Sequence, residues 1–85
     1  MIVKINEQLF EITNFQGEKI PDYNCYFHDL LKVMSYIINK YKKELVLSTD
    51  EIITLYQNAF LNAKIYLNIK KVSKDEKPIL DLDGE

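Results

Sequence analysis

Hydrophobic positions alternate at the start of the chain and then change period. Ile2-Val3-Lys4-Ile5 and Leu9-Phe10-Glu11-Ile12-Thr13 repeat at a spacing of two, with Val3 and Ile5 on one face of the first run and Phe10 and Ile12 on one face of the second. The polar break Asn6-Glu7-Gln8 between them makes the pair a β-hairpin. Asn14 to Lys19, which contains Gly17, reads as a turn or loop. Pro21-Asp22 then marks the start of a helix, with Asp22 as its N-cap.

From Tyr23 to Lys43 the spacing is helical. Phe27, Leu30, Leu31, Met34, Ile37, Ile38 and Tyr41 recur at i, i+3, i+4 and i+7 and form one stripe. Lys40, Lys42 and Lys43 fall in its last turn, where cations suit the carbonyl end of the helix dipole. Glu44 to Leu47 is a short apolar connector or strand, and Ser48-Thr49-Asp50-Glu51 has the S-x-x-E form of a capping box. A second helix follows, with Ile52, Ile53, Tyr56, Ala59, Phe60, Ala63, Tyr66 and Leu67 on one face. Because neither Gly nor Pro interrupts residues 50–72, the pattern predicts a helix running from Thr49 to Val72. Residues 64–70 also alternate with period two. In that alternative the second helix ends near Asn62 and a C-terminal β-hairpin follows, with Ile79 to Leu82 as its last strand. The predicted class is therefore α+β: an N-terminal β-hairpin packed on two amphipathic helices, in a single small domain of residues 1–85. Residues 73–85 form its acidic C-terminal tail.

With 85 residues, 47% of them apolar and ten aromatic, the chain can build one modest core, and those side chains are then spent on the core rather than on the walls of a deep active site. No apolar run approaches the ~20 residues of a membrane-spanning helix, the N-terminus lacks a signal peptide's apolar region, and a lone cysteine, Cys25, allows no intramolecular disulfide. These features suit a cytoplasmic, reduced setting. The net charge of −2 conceals a second fact: all eleven basic residues are lysines. Arginine's planar fork reads guanine edges and clamps phosphate, so a mildly acidic chain without it is a poor reader of nucleic-acid sequence.

The chemistry-bearing stretch is Cys25-Tyr26-Phe27-His28-Asp29, which sets a thiol, an imidazole and a carboxylate within five positions. Projected at 100° per residue, Cys25 points away from a core stripe centred near Leu30, Met34 and Tyr41, with His28 and Asp29 flanking it on the outer side. Cys25 and His28 can touch at i, i+3, but no Gly-rich nest, second histidine or enclosing loop completes a mechanism, and ordinary surface residues are the expectation. One Cys and one His with carboxylates make only a poor metal set. Asp81-Leu82-Asp83-Gly84-Glu85 has the opening letters of a calcium loop but stops before the remaining ligands.

The outer face of helix one carries more. Cys25, His28, Lys32, Tyr36 and Asn39 form a stripe opposite the core, with Tyr26 and Val33 along its edge. This stripe is either a protein-binding surface or the side of a helix buried on two faces, with Tyr36 and Val33 against the hairpin. On a long second helix, Leu61, Ile65, Ile69 and Val72 would make a second outward apolar stripe that only association could cover. The expected function is a small non-catalytic protein-binding module, encoded by a phage or other mobile element and acting as an inhibitor or adaptor of a larger protein. Its partner-binding residues would be Tyr36, Lys32, His28, Cys25, Leu61, Ile65 and Ile69, and no cofactor or metal is expected. The alternative is a homo-oligomeric structural or assembly component. A thiol-based enzyme or redox switch using Cys25 and His28 ranks third.

Overall fold

The computed structural model describes residues 1–73 and 75–83. Two strands open the chain, β1 (Ile2–Ile5) and β2 (Gln8–Asn14), and helices α1 (Cys25–Glu44) and α2 (Thr49–Asn62) follow. Strands β3 (Leu67–Lys71) and β4 (Leu80–Asp81) complete an α+β fold. The four strands lie in the order β3-β2-β1-β4; β1 and β3 both run antiparallel to β2, and β4 runs parallel to β1. The N-terminal β-hairpin read from the alternation is therefore the centre of the sheet.

The hairpin turn needs only Asn6 and Glu7, since Ile5 pairs with Gln8. Both turn residues have positive φ, 53° and 61°, as a type I′ turn requires, and its twist matches the right-handed twist of the strands. The Asp83 carboxylate grips this turn: the backbone N–H of Asn6 donates to one oxygen at 2.6 Å and that of Glu7 to the other at 2.7 Å. The Asn6 side chain donates to the Thr49 hydroxyl at 2.7 Å, and Asn39 of α1 donates to the Leu82 carbonyl at 3.0 Å. Residues 79–83 of the acidic tail are thus held on the fold, and Leu82 is buried.

Alternation places Val3, Ile5, Phe10 and Ile12 on one face of the sheet, with Ile69 paired to Ile12 and Leu80 to Val3. Both helices cover that face. Phe27, Leu31 and Ile38 of α1 and Ile52, Tyr56 and Phe60 of α2 are buried, and Phe27 stacks on Phe60 with ring centroids 5.1 Å apart. The other face carries Lys4, Glu11, Lys70 and Asp81, with Lys4 opposite Asp81 and Glu11 opposite Lys70.

Three expectations need correction. The long second helix does not form. After Asn62 the chain turns at Lys64, whose φ is +61°; the Lys64 N–H donates to the Leu61 carbonyl at 2.8 Å and the Ile65 N–H to the Phe60 carbonyl at 2.9 Å. This pair of bonds is a Schellman stop, which ordinarily recruits glycine at the left-handed position and here uses lysine. The reward is burial, since Ile65, Leu67 and Ile69 pack against the core instead of facing solvent. The alternative placed the helix end correctly, but its C-terminal hairpin is absent: β3 and β4 lie on opposite edges of the sheet. Second, the N-cap of α1 is Asn24, whose side chain accepts from the Phe27 N–H at 3.0 Å, while Asp22 lies outside the helix. Third, the buried line of α1 is rotated from the expected stripe. It runs through Phe27, Leu31 and Ile38, leaving Ile37 49% and Tyr41 52% exposed.

Candidate functional site

Helix α1 is 20 residues long, and only one side of it meets the sheet and α2. Because the buried line passes through Phe27, Leu31 and Ile38, helical geometry aims Asp29, Val33, Tyr36 and Lys40 in the opposite direction. All four are exposed, with Val33 60% and Tyr36 56% accessible, and Tyr26 on the same side is 70% accessible. Neither Tyr36 nor Val33 is covered by the hairpin, so α1 is not buried on two faces. Lys40 folds its ammonium over Tyr36, 4.5 Å from the ring centroid, a cation–π contact that keeps the charge on this face.

Beside this line the apolar surface continues. Met34, Ile37, Ile38 and Tyr41 of α1 and Leu55 and Ala59 of α2 line a groove of about 160 Å³ between the helices. A second hollow of about 260 Å³ lies on the other side of the Ile37–Tyr41 ridge, lined by Tyr36, Ile37, Lys40, Tyr41 and Glu44. At the end of the layer the interhelical connector leaves Leu45 exposed and Val46 fully so. An apolar surface this broad on so small a fold is costly to leave in water.

Of the residues singled out from sequence, Tyr36, Lys32 and Cys25 are exposed on α1. His28 is half-buried, because the rotation of the helix carries its ring toward the fold, and its Nε2 is buried without a hydrogen-bond partner. The Cys25 sulfur instead donates to the Tyr23 carbonyl at 3.6 Å, so no hydrogen bond joins thiol to imidazole. Leu61, Ile65 and Ile69 do not form a stripe. Leu61 is 47% exposed at the end of α2, Ile65 closes the Schellman stop, and Ile69 lies on the inner face of β3. Leu61 belongs to a separate cluster in which Phe15 and Tyr66 meet edge to face at 6.4 Å, with Gln57, Asn58 and Asn68 around a hollow of about 290 Å³.

Ile37 and Tyr41, placed in the core stripe by the sequence pattern, are surface residues that sequence reasoning missed; Leu55, which the pattern did not single out, joins them from α2. A signal existed: seven apolar residues in the α1 stripe, extended by Tyr26 and Val33, cover a wider arc than the ~100° needed to meet a single core.

Among the described residues no group of three or more His, Cys, Asp or Glu side chains could hold a metal ion. The carboxylates of the calcium-like letters are engaged within the fold. Asp83 holds the hairpin turn, and Asp81 accepts from the Asp83 N–H at 2.9 Å and lies 3.9 Å from Lys4; Gly84 and Glu85 fall outside the described residues. No helix of the described residues is long and apolar enough to cross a membrane. Compared with known proteins, the chain matches no protein-family model, no curated protein and no solved structure.

Proposed function

We propose that this protein is a non-catalytic interaction module that works by presenting the outward face of α1 and the adjoining interhelical groove to another protein surface. The observation that carries the reading is the row of Tyr26, Val33 and Tyr36 at 56–70% exposure on one side of a helix whose opposite side is core. Tyrosine gives large contact area for little side-chain entropy, which is why it concentrates at interfaces. A groove walled by Ile37, Tyr41 and Leu55 beside that row offers a seat for an apolar anchor from the partner. We extend this reading to an inhibitor or adaptor in the cytoplasm, encoded by a phage or other mobile element; a chain whose basic residues are all lysine is not expected to read nucleic-acid sequence.

Site-specific photo-crosslinking tests it. A photoreactive residue in place of Tyr36 should form protein adducts in the native host, whereas the same residue in place of Glu11 on the opposite sheet face should not. Equal crosslinking from both positions, or none from Tyr36, would remove the proposal.

A further inference from the structure

The row on α1 has a period and a polarity. Tyr26, Asp29, Val33, Tyr36, Lys40 and Lys43 follow one another at alternating steps of three and four, the spacing of a two-helix seam, and all six are exposed. The three apolar or aromatic members are Tyr26, Val33 and Tyr36. The acid, Asp29, lies toward the N-terminal end, and both lysines lie toward the C-terminal end.

Resting on the interaction-module reading above, we infer that the occupant of this face is a second copy of the same chain, docked with the two α1 helices antiparallel about a two-fold axis between Val33 and Tyr36. An antiparallel seam sets each position of one type against the other type on its partner. In this register Val33 meets Tyr36 of the second copy, Asp29 meets Lys40 of the second copy, and Tyr26 meets Lys43 of the second copy. Every layer is complementary: apolar on aromatic, carboxylate on ammonium, and aromatic face on cation. The two-fold axis repeats each contact, so the two charge pairs sit symmetrically about the apolar centre. A parallel arrangement instead sets Asp29 on Asp29 and Lys40 on Lys40, and the like charges reject it. Leu30 and Ile37 flank the seam on the α2 side and add apolar contact next to the central layers.

The available area agrees. The seam from Tyr26 to Lys43 spans ~26 Å of helix. With three partly exposed tyrosine- and valine-sized side chains, Ile37 and the charged stems it offers ~600 Å² per copy, which reaches the ~1,200 Å² lower bound for a specific interface. A reversible, concentration-dependent dimer is the expected species.

Sedimentation velocity on the purified full chain, from low to high micromolar concentration, tests this. Wild type should shift from monomer to dimer as concentration rises. Asp29→Lys and Lys40→Asp should each weaken the dimer ~tenfold or more, because each substitution spoils two symmetric pairs. The discriminating sample is an equimolar mixture of the two single variants: each heterodimer regains both opposite-charge pairs, so mass should return to dimer, as it should for the double variant. All the substituted positions are exposed, and far-ultraviolet circular dichroism confirms the fold of every sample. Wild type remaining monomeric throughout, single variants dimerising like wild type, or a mixture that stays monomeric would each overturn the inference. Monomeric protein that still crosslinks to a different protein through Tyr36 would overturn only the second-copy occupant. Absence of any adduct at Tyr36 would remove the module reading as well.

Discussion

Tyr56 is the largest of the fully buried side chains among the described residues, 1% exposed on the core side of α2. Burial pushes its phenol well above the usual tyrosine range, and the negative charge of Asp83 pushes in the same direction. The consequence for stability has a definite sign. Below pH ~10 the phenol is protonated in both folded and unfolded chains, and the buried ring contributes fully. Above that value the unfolded chain releases the proton while the folded one resists, so stability falls as pH rises further. Tyr56→Phe keeps the ring in the core and deletes the titrating group. It should change stability by no more than ~1 kcal/mol at neutral pH and move the alkaline unfolding midpoint upward. Denaturant melts across the alkaline range check both outcomes, and an unchanged alkaline midpoint would contradict the assignment. His28 marks the limit of helical periodicity. A rotation of α1 too small to alter any helix boundary carries its ring from the outer face into partial burial, which no periodicity argument resolves.

The two ends of α2 show how an element is delimited. At its start Ser48 and Glu51 form the capping box read from the sequence: the Ser48 N–H donates to the Glu51 carboxylate at 2.9 Å, and the Glu51 N–H donates to the Ser48 hydroxyl at 3.2 Å. The bond from the Ser48 backbone holds the Glu51 carboxyl below its usual range, and the Ser48 side chain adds to this. A depressed carboxyl contributes stability above its unfolded value and loses it as pH falls through the folded one. Wild type should therefore lose more thermal stability than Glu51→Gln between about pH 6 and about pH 3. Ser48→Ala should cost ~1 kcal/mol at neutral pH. At the other end Lys64 holds a left-handed conformation that costs an L-residue ~1 kcal/mol. Lys64→Gly removes that cost, and a gain approaching ~1 kcal/mol in denaturant unfolding is expected. A loss would show that the lysine side chain contributes more than its backbone strain removes.

The whole molecule places β3 and β4 on opposite edges of the N-terminal hairpin and sends Leu61, Ile65 and Ile69, three of the four residues of the expected outward stripe, into three environments. Leu61→Glu, at a 47% exposed site, should alter stability by no more than ~0.5 kcal/mol. Ile69→Glu sets a charge on the inner face of the sheet opposite Ile12 and should cost more than ~3 kcal/mol, read as loss of the cooperative thermal transition. Equal tolerance of both would be incompatible with β3 as a core-facing strand.

Local signals were legible in the sequence because their causes are local. The period-two runs around Asn6-Glu7, the 3.6 period of α1 and the Ser48–Glu51 box each arise from residues a few positions apart, and they determined the hairpin, both helices and the α+β class. The end of α2 was not legible. Propensity allowed the helix to continue past Asn62, and only the burial of Ile65, Leu67 and Ile69 against strands more than fifty residues earlier outweighs the strain at Lys64. The same holds for the surface of α1. Seven apolar residues marked an amphipathic helix, but which of them meet the core depends on where the sheet and α2 stand. Tertiary packing buried Phe27, Leu31 and Ile38 and left Tyr26, Val33, Tyr36 and Ile37 in water, because a sheet with one neighbouring helix covers only part of so wide a stripe.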